Sequence, residues 1–152
     1  MIFRKAIKND VPQIIKLLAT DKLGKLRENY ANPLPDYYYS AFNVISADEN
    51  QELIVVENKE DPKILASFQL TFIPYLSYKG SVRAQIENVM VRDDLRGQGI
   101  GQQIFEWAIN RAKQRKAHVL QLTSDKLRPR AIKFYENLGF VASHEGMKLH
   151  FK

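Results

Sequence analysis

Three glycines and an arginine lie close together in the stretch Arg96-Gly97-Gln98-Gly99-Ile100-Gly101-Gln102. Glycine has no Cβ atom, so it lets a ligand approach the backbone N–H groups closely, and it adopts positive φ angles without strain. The arginine adds a permanent positive charge. Residues of these types at this spacing are suited to binding an anion, and we interpret the stretch, called the glycine loop below, as a cradle for a diphosphate.

The elements on either side would place the glycine loop at the start of a helix. Before it, the β-branched residues of Ile86–Val91 (IENVMV) predict a buried strand. After it, the apolar residues recur at helical spacing, as Ile104, Phe105, Ala108, Ile109 and Ala112. The first N–H groups of a helix have no intrahelical acceptor and carry a partial positive charge, which favours an anion.

Two common phosphate-binding motifs do not fit this loop. A Walker A loop has Lys-Ser/Thr after its last glycine, whereas Ile100-Gly101-Gln102 follows Gly99 here. A Rossmann fingerprint has a third glycine where Gln102 stands, and it opens the fold rather than lying two thirds along it. A glycine-rich turn that binds no ligand stays open as an alternative at this point.

After a strand, Arg96–Gly101 resembles the acetyl-CoA loop of the GCN5-related N-acetyltransferases (GNAT). Arg128–Phe140 (RPRAIKFYENLGF) resembles the closing motif of the same family, and two motifs in this order are more specific than either alone. The resemblance implies a single α/β domain over residues 1–152 with the acyl-CoA N-acyltransferase fold. Its sheet would be mixed, mostly antiparallel and twisted, with flanking helices and splayed central strands.

The resemblance also implies acetyl-CoA as the co-substrate and assigns residues to it. The glycine loop would hold the pyrophosphate through Arg96, Gly97, Gln98, Gly99, Ile100, Gly101 and Gln102. Backbone groups of Val89, Met90 and Val91, next to a β-bulge, would pair with the pantetheine arm. Many relatives carry an asparagine where Arg128 stands, so Arg128 is expected at the cofactor or its 3′-phosphate. Ser124 would face the cofactor, while Asp125 would cap the next helix.

Tyr135 lies in the closing motif, where relatives use a tyrosine to protonate the departing CoA thiolate. A phenol with a pKa near ~10 can do this while it is neutral and close to the sulfur. A structural role is the alternative, because a tyrosine beside Phe134 on a helix can simply be half-buried.

Transfer to an amine also needs a base or desolvation, because an alkylammonium with a pKa of ~10.4 has no lone pair for attack. Glu87 is the candidate base. It resembles a glutamate at this position in polyamine and glucosamine-phosphate acetyltransferases, although Asn88 follows it where those relatives often have aspartate. A solvated residue on a strand is the other interpretation. The mechanism implied is direct attack in a ternary complex, without a covalent enzyme intermediate.

These residues leave the acceptor open among small polyamines, amino sugars, antibiotics, amino acids and protein amines. Related enzymes form their acceptor site from the regions that correspond to Leu23–Phe42 and Tyr75–Ser81. The tyrosines Tyr37, Tyr38 and Tyr39 are expected to pack within a helix, although Tyr37 or Tyr39 could contact an amine through a cation–π interaction.

Composition narrows the protein class without choosing a partner. The chain has 152 residues, a net charge of +6 and no cysteine, which excludes disulfides and a cysteine nucleophile. The scattered lysines and arginines show no nucleic-acid-binding motif, so no nucleic acid is expected. No apolar run approaches the roughly 20 residues needed to span a bilayer, and no signal-peptide pattern is visible. We therefore predict a cytoplasmic protein without membrane contact. His118, His144 and His150 have no metal-ligand spacing.

The remaining pattern predicts the order β-α-α-β-β-β-α-β-α-β. Consecutive hairpins indicate an antiparallel meander, with a turn around Asn58–Pro62 too long for a two-residue type. Asp36 is predicted to cap the second helix and Gly139 to end the last one. Phe140–Phe151 is predicted to form one or two closing strands.

Homodimers are common among relatives. A CoA-binding regulatory module without activity is the alternative function.

Overall fold

The structure is a computed structural model that describes residues 1–22 and 24–151. The chain forms two compact units, Met1–Leu120 and Gln121–Lys152, which we describe separately. The strands are β1 Ile2–Lys5, β2 Gln51–Asn58, β3 Asp61–Pro74, β4 Val82–Val91 and β5 Ala117–Gln121. The helices are α1 Val11–Thr20, α2 Asp36–Ala47, α3 Ser77–Gly80, α4 Ile100–Gln114 and α5 Pro129–Asn137.

The strands form one open sheet in the order β1-β2-β3-β4-β5. The first four strands pair antiparallel, as a meander requires. A mixed five-stranded sheet with flanking helices confirms the predicted fold class. None of the helices in the described part of the chain has the length and apolar character needed to cross a membrane.

The turn between β2 and β3 differs from the prediction. Asn58 pairs with Asp61, so only two residues connect the strands, and Pro62 lies inside β3 rather than in the turn. The Asn58 side chain accepts a hydrogen bond from the Glu60 N–H at 3.3 Å, which stabilises the tight turn. Proline is tolerated there because it is exposed and close to the start of the strand.

Helices cover the sheet through buried apolar side chains. α1 contributes Ile14 and Leu17 to a core cluster with Val55 of the sheet, and α2 contributes Phe42 to a second cluster, against which Leu53 of the sheet packs. Elsewhere in the core, Trp107 of α4 stacks on Phe3 at 5.5 Å and meets Phe68 edge-on at 5.6 Å. Asp36, predicted as a cap, is instead the first residue of α2, where its negative charge faces the helix dipole favourably.

One buried ion pair ties α4 to the sheet. Glu52 of β2 is 1% exposed, and it accepts hydrogen bonds from Arg111 Nη2 at 2.6 Å and Nε at 2.9 Å. Burial by itself raises the pKa of Glu52, but the Arg111 hydrogen bonds and charge outweigh it and hold the pKa below its usual range. Arg115 adds a weaker contact at 3.3 Å.

The unit Gln121–Lys152 contains α5 and an irregular segment. Gly139, with φ 92°, follows the helix, and the Phe140 N–H donates to the Tyr135 carbonyl at 3.0 Å, which confirms the predicted glycine stop. The predicted closing strands are wrong for residues 140–151, which contain no strand. Met147, Leu149 and Phe151 alternate as in a strand but are at least 80% exposed. The pattern predicted a strand, but a strand also needs a neighbour to pair with.

Candidate active site

The glycine loop lies directly before α4, as the sequence predicts. Gly97 and Gly99 have φ angles of 77° and 80°, in the left-handed region where other residues are strained. An added Cβ at either glycine would meet no atom within 4 Å, so both face open space. Gly99 occupies the N-cap position of α4 and has no side chain to accept from the first N–H groups of the helix. These donors therefore suit an anionic ligand.

Neighbouring side chains brace the loop without filling it. Arg96 forms an ion pair with Asp93 at 2.7 Å, and both side chains are more than half exposed. Gln98 donates from Nε2 to the Asp94 carbonyl at 3.1 Å. Because an exposed ion pair is weak, Arg96 can exchange Asp93 for a phosphate at small cost.

β4 carries a β-bulge just before its last residues. Ser67 pairs with Met90 and Gln69 with Glu87, so Asn88 and Val89 together lie opposite Phe68. Asn88 has a φ of 53°, which asparagine tolerates better than most residues. The bulge expected from the family resemblance is thus present. It lies beside the backbone of Val89–Val91.

Glu87 immediately precedes this bulge. It is exposed and lies opposite Gln69 of β3. An exposed carboxylate is accessible to an amine or to a water that relays a proton. Both interpretations made from the sequence, a base and a solvated residue, are compatible with this position.

Tyr135 is half-buried on α5 in the second unit. Its ring packs edge-on against Phe134 at 5.5 Å and Phe140 at 6.2 Å. Burial raises the pKa of Tyr135 above its usual range, while the charge of Arg128 acts in the opposite direction. The phenol therefore stays protonated near neutral pH, the state that a proton donor requires.

The residues before α5 form a turn rather than a capped helix start. Asp125 Oδ1 accepts from the Leu127 N–H at 2.9 Å, and the Asp125 carbonyl accepts from the Arg128 N–H at 2.9 Å. Arg128 itself occupies the N-cap position. The prediction that Asp125 caps the helix is therefore wrong, because its side chain stabilises the preceding turn. Ser124 lies in the loop that leads into this turn.

The site residues predicted from the sequence thus fall into two groups. The unit Met1–Leu120 holds Glu87, Val89–Val91 and the glycine loop, whereas the unit Gln121–Lys152 holds Ser124, Arg128 and Tyr135. Among the described residues no group of three metal-ligating side chains was found. His118 stacks on Tyr78 at 4.6 Å and also contacts the Tyr75 hydroxyl, which supports the structural role expected for it.

Sequence reasoning missed a cleft in the first unit, called the α1–α2 cleft below. It has a volume of about 190 Å³ and lies between these two helices and the sheet. Its lining includes Asn88 and two residues in mutual contact, Glu28 and Tyr38. The sequence carries no signal for Glu28, because this residue lies in a connection without periodicity. It belongs to the predicted acceptor region Leu23–Phe42, of which Leu23 lies outside the described residues.

With this geometry established, comparisons with known proteins define the class. Residues 15–140 match the Acetyltransferase (GNAT) family, so the chain belongs to that family. The family resemblance noted in the sequence is therefore confirmed. The fold and the family support the class of acetyltransferases.

Individual relatives give finer but weaker information. A probable glucosamine 6-phosphate N-acetyltransferase of Drosophila melanogaster is 28% identical over 106 residues, which cover 69% of this chain and 47% of that protein. The chain spans less than half the length of the curated relatives that it matches.

Solved structures of similar proteins cover nearly the whole chain. A protein described as a transcriptional regulator from Bacillus halodurans C-125 is 53% identical, with a TM-score of 0.94 and coverage of 99% of both chains. A predicted acetyltransferase with acetyl-CoA from Clostridium acetobutylicum is 24% identical, with a TM-score of 0.73, covering 98% of this chain and 95% of that one. At that identity the second similarity supports the fold alone.

Proposed function

We propose that the protein transfers the acetyl group of acetyl-CoA to a primary amine by direct attack in a ternary complex. The observation that carries this proposal is the glycine loop of a family member. Gly97 and Gly99 adopt left-handed conformations, face open space and leave the first N–H groups of α4 uncapped. A Cβ atom at either position would enter the space that a pyrophosphate needs.

The chain's own residues divide the work of binding. Backbone N–H groups at Ile100, Gly101 and Gln102 would bind the pyrophosphate, and Arg96 would contribute charge. Arg128 and Ser124 are also proposed to contact the cofactor. N–H groups of Val89–Val91, next to the bulge, would polarise the thioester carbonyl. Bound acetyl-CoA supplies the activated acetyl group, and positioning provides much of the acceleration.

Two side chains are proposed to move protons. Glu87 takes a proton from the amine, directly or through water, so that the nitrogen lone pair can attack the acetyl carbon. As the new C–N bond forms, the C–S bond breaks and Tyr135 donates a proton to the departing thiolate. The nitrogen, which is cationic after the attack, releases its second proton to water, and solvent restores the proton of the phenol. The raised pKa of Tyr135 supports this role because the donor is protonated at neutral pH.

A regulatory module that binds acyl-CoA without turnover is the second candidate. It is supported by the 53% identical Bacillus halodurans structure, which is described as a transcriptional regulator. The two candidates share cofactor binding and differ in chemistry.

One two-stage experiment tests both candidates. Acetyl-CoA binding is measured first by calorimetry, and release of free CoA thiol is then measured with a broad panel of primary amines. Amine-dependent thiol release supports the transferase, whereas tight binding without release from any amine supports the module. Absence of acetyl-CoA binding would refute both. Binding to DNA or RNA at low salt, lost as salt rises, would instead indicate a nucleic-acid partner.

A further inference from the structure

We infer that the acceptor is a primary amine with an apolar body, about the size of one aromatic ring or a short alkyl chain, bound in the α1–α2 cleft. This inference rests on the proposed function and specifies its substrate class. It differs from the phosphorylated sugar in the name of the Drosophila relative.

The lining of the cleft favours an apolar body. Both helices line it with aliphatic and aromatic side chains, and the sheet adds one more; they include Ile14, Ile15, Leu18, Phe42, Ile45 and Leu53. A cavity of about 150 Å³ with a comparable lining binds benzene. The volume here, about 190 Å³, therefore admits a phenyl ring or a chain of several methylenes.

The charge on the cleft favours a cation. Glu28 is the only ionisable acid or base besides the tyrosine hydroxyl among the residues that line it in the described chain. Tyr38 donates its hydroxyl hydrogen to Glu28 Oε2 at 3.0 Å, and Arg27 Nε donates to Oε1 at 2.8 Å, which fixes the carboxylate in place. A carboxylate has about four lone-pair positions, so it can still accept from an ammonium group.

The same charge opposes a phosphate. No lysine or arginine belongs to the described lining, and Arg27, which contacts Glu28, has a side chain that is 60% exposed. A phosphate would meet the negative charge of Glu28, and no cation of the described lining would compensate its loss of water.

The position of the cleft connects it with the proposed chemistry. Asn88, the residue at the bulge with positive φ, contributes to its lining, and Glu87 precedes it on the same strand. Ser67 and Gln69 of β3 add polar groups on the sheet side. An amine whose body fills the cleft is therefore held against the part of β4 that carries the candidate base.

The first test compares substrates by CoA-thiol release with 2-phenylethylamine, n-hexylamine, ethylamine and glucosamine 6-phosphate. We expect kcat/KM to rise about fourfold for each methylene that becomes buried. The phenyl and hexyl amines should exceed glucosamine 6-phosphate by at least tenfold. Preference for the sugar phosphate, with turnover intact, would overturn the inference while leaving the proposed function standing.

The second test fills the cleft. Ala41 lines it but is exposed on α2, so Ala41→Trp should fold normally. We expect the KM for 2-phenylethylamine to rise at least tenfold, with acetyl-CoA affinity unchanged. Val44→Trp is the matched control, because Val44 is 72% exposed on the same helix and does not belong to the lining. Equal KM values in the two variants would contradict the inference.

The third test removes the charge. Glu28→Gln should raise the KM for 2-phenylethylamine about tenfold, whereas Glu49→Gln, at an exposed position outside the cleft, should not. If no amine is turned over, calorimetry with 2-phenylethylamine alone still decides the matter. Saturable binding that Ala41→Trp weakens would retain the cleft as an amine site, and absence of binding would remove it.

Discussion

Tyr135 shows how one side chain's surroundings prepare it for a chemical role. Its phenol lies among Phe134, Phe140 and the turn of α5, and burial raises its pKa despite the nearby Arg128 charge. A tyrosine that donates a proton is active below its pKa and inactive above it. The raised pKa therefore extends the active range towards higher pH.

We predict that Tyr135→Phe lowers kcat by about 10²-fold or more, the usual contribution of a general acid, with little change in acetyl-CoA affinity. In the wild type, the alkaline fall in kcat should lie above pH ~10 and should disappear in the variant. Steady-state kinetics across pH 6–11 and calorimetric binding of acetyl-CoA provide the measurement. Unchanged turnover would remove Tyr135 as the acid.

Glu87 lies exposed before the bulge, where a base could meet the incoming amine. We predict that Glu87→Gln lowers kcat/KM for amines and shifts the acidic limb of the pH–rate profile, because the amide cannot accept the proton. Glu60→Gln, at an exposed position in the turn between β2 and β3, controls for loss of a surface carboxylate. A profile that superimposes on the wild type would make Glu87 a solvated surface residue.

At the scale of elements, the glycine loop lies between β4 and α4 and leads directly into the helix. Gly99→Val combines a strained left-handed conformation with a side chain in the space proposed for pyrophosphate. We predict at least a 100-fold loss of acetyl-CoA affinity by calorimetry.

Gly80→Val provides the matched control. Gly80 has a φ of 70° and also faces open space, so this substitution introduces similar strain outside the glycine loop. Its acetyl-CoA affinity should equal that of the wild type. Equal losses in both variants would attribute the effect to folding rather than to the cradle.

The ion pair between β2 and α4 makes a separate prediction. Arg111→Leu leaves the buried Glu52 with the longer, 3.3 Å contact to Arg115, so the free energy of unfolding should fall by about 3 kcal/mol. Lys113→Leu removes an equal charge from an exposed position of the same helix and should change the free energy of unfolding by less than about 0.5 kcal/mol. Urea unfolding at pH 7 measures both; similar values would show that the pair contributes no special stability.

For the whole molecule, buried carboxylates predict sensitivity to acid. Burial alone raises the pKa of Asp10, but hydrogen bonds from Arg4 and the Ile7 N–H outweigh it and lower the pKa. The pKa of Glu52 is likewise lowered, because its hydrogen bonds from Arg111 outweigh burial. Since both folded pKa values lie below their unfolded values near ~4, the stabilisation is complete above pH ~5 and is lost as pH falls through the folded values. Urea midpoints at pH 7, 5, 4 and 3 should stay level and then drop. A level midpoint down to pH 3 would contradict this.

Much of this molecule could be predicted from local patterns. The meander, α4 and the glycine stop after α5 follow from periodicity and from glycine positions. The cleft could not be predicted, because Glu28 and Tyr38 meet through tertiary folding rather than through sequence spacing. The prediction of closing strands failed because the alternation in Met147–Phe151 indicates which side chains would share a face of a strand, but it does not provide a neighbouring strand to pair with.

The bulge at Asn88 has a further consequence for the whole chain. Because Asn88 is the extra residue, deleting it would leave Glu87 opposite Gln69 and Met90 opposite Ser67, with every other side chain on its present face. Deleting or inserting a residue in the middle of β4 outside the bulge would instead turn Met90 away from the core cluster that it packs against, which includes Ile14 and Leu17 of α1. At this bulge β4 can be shortened by one residue without exchanging the two faces of the sheet.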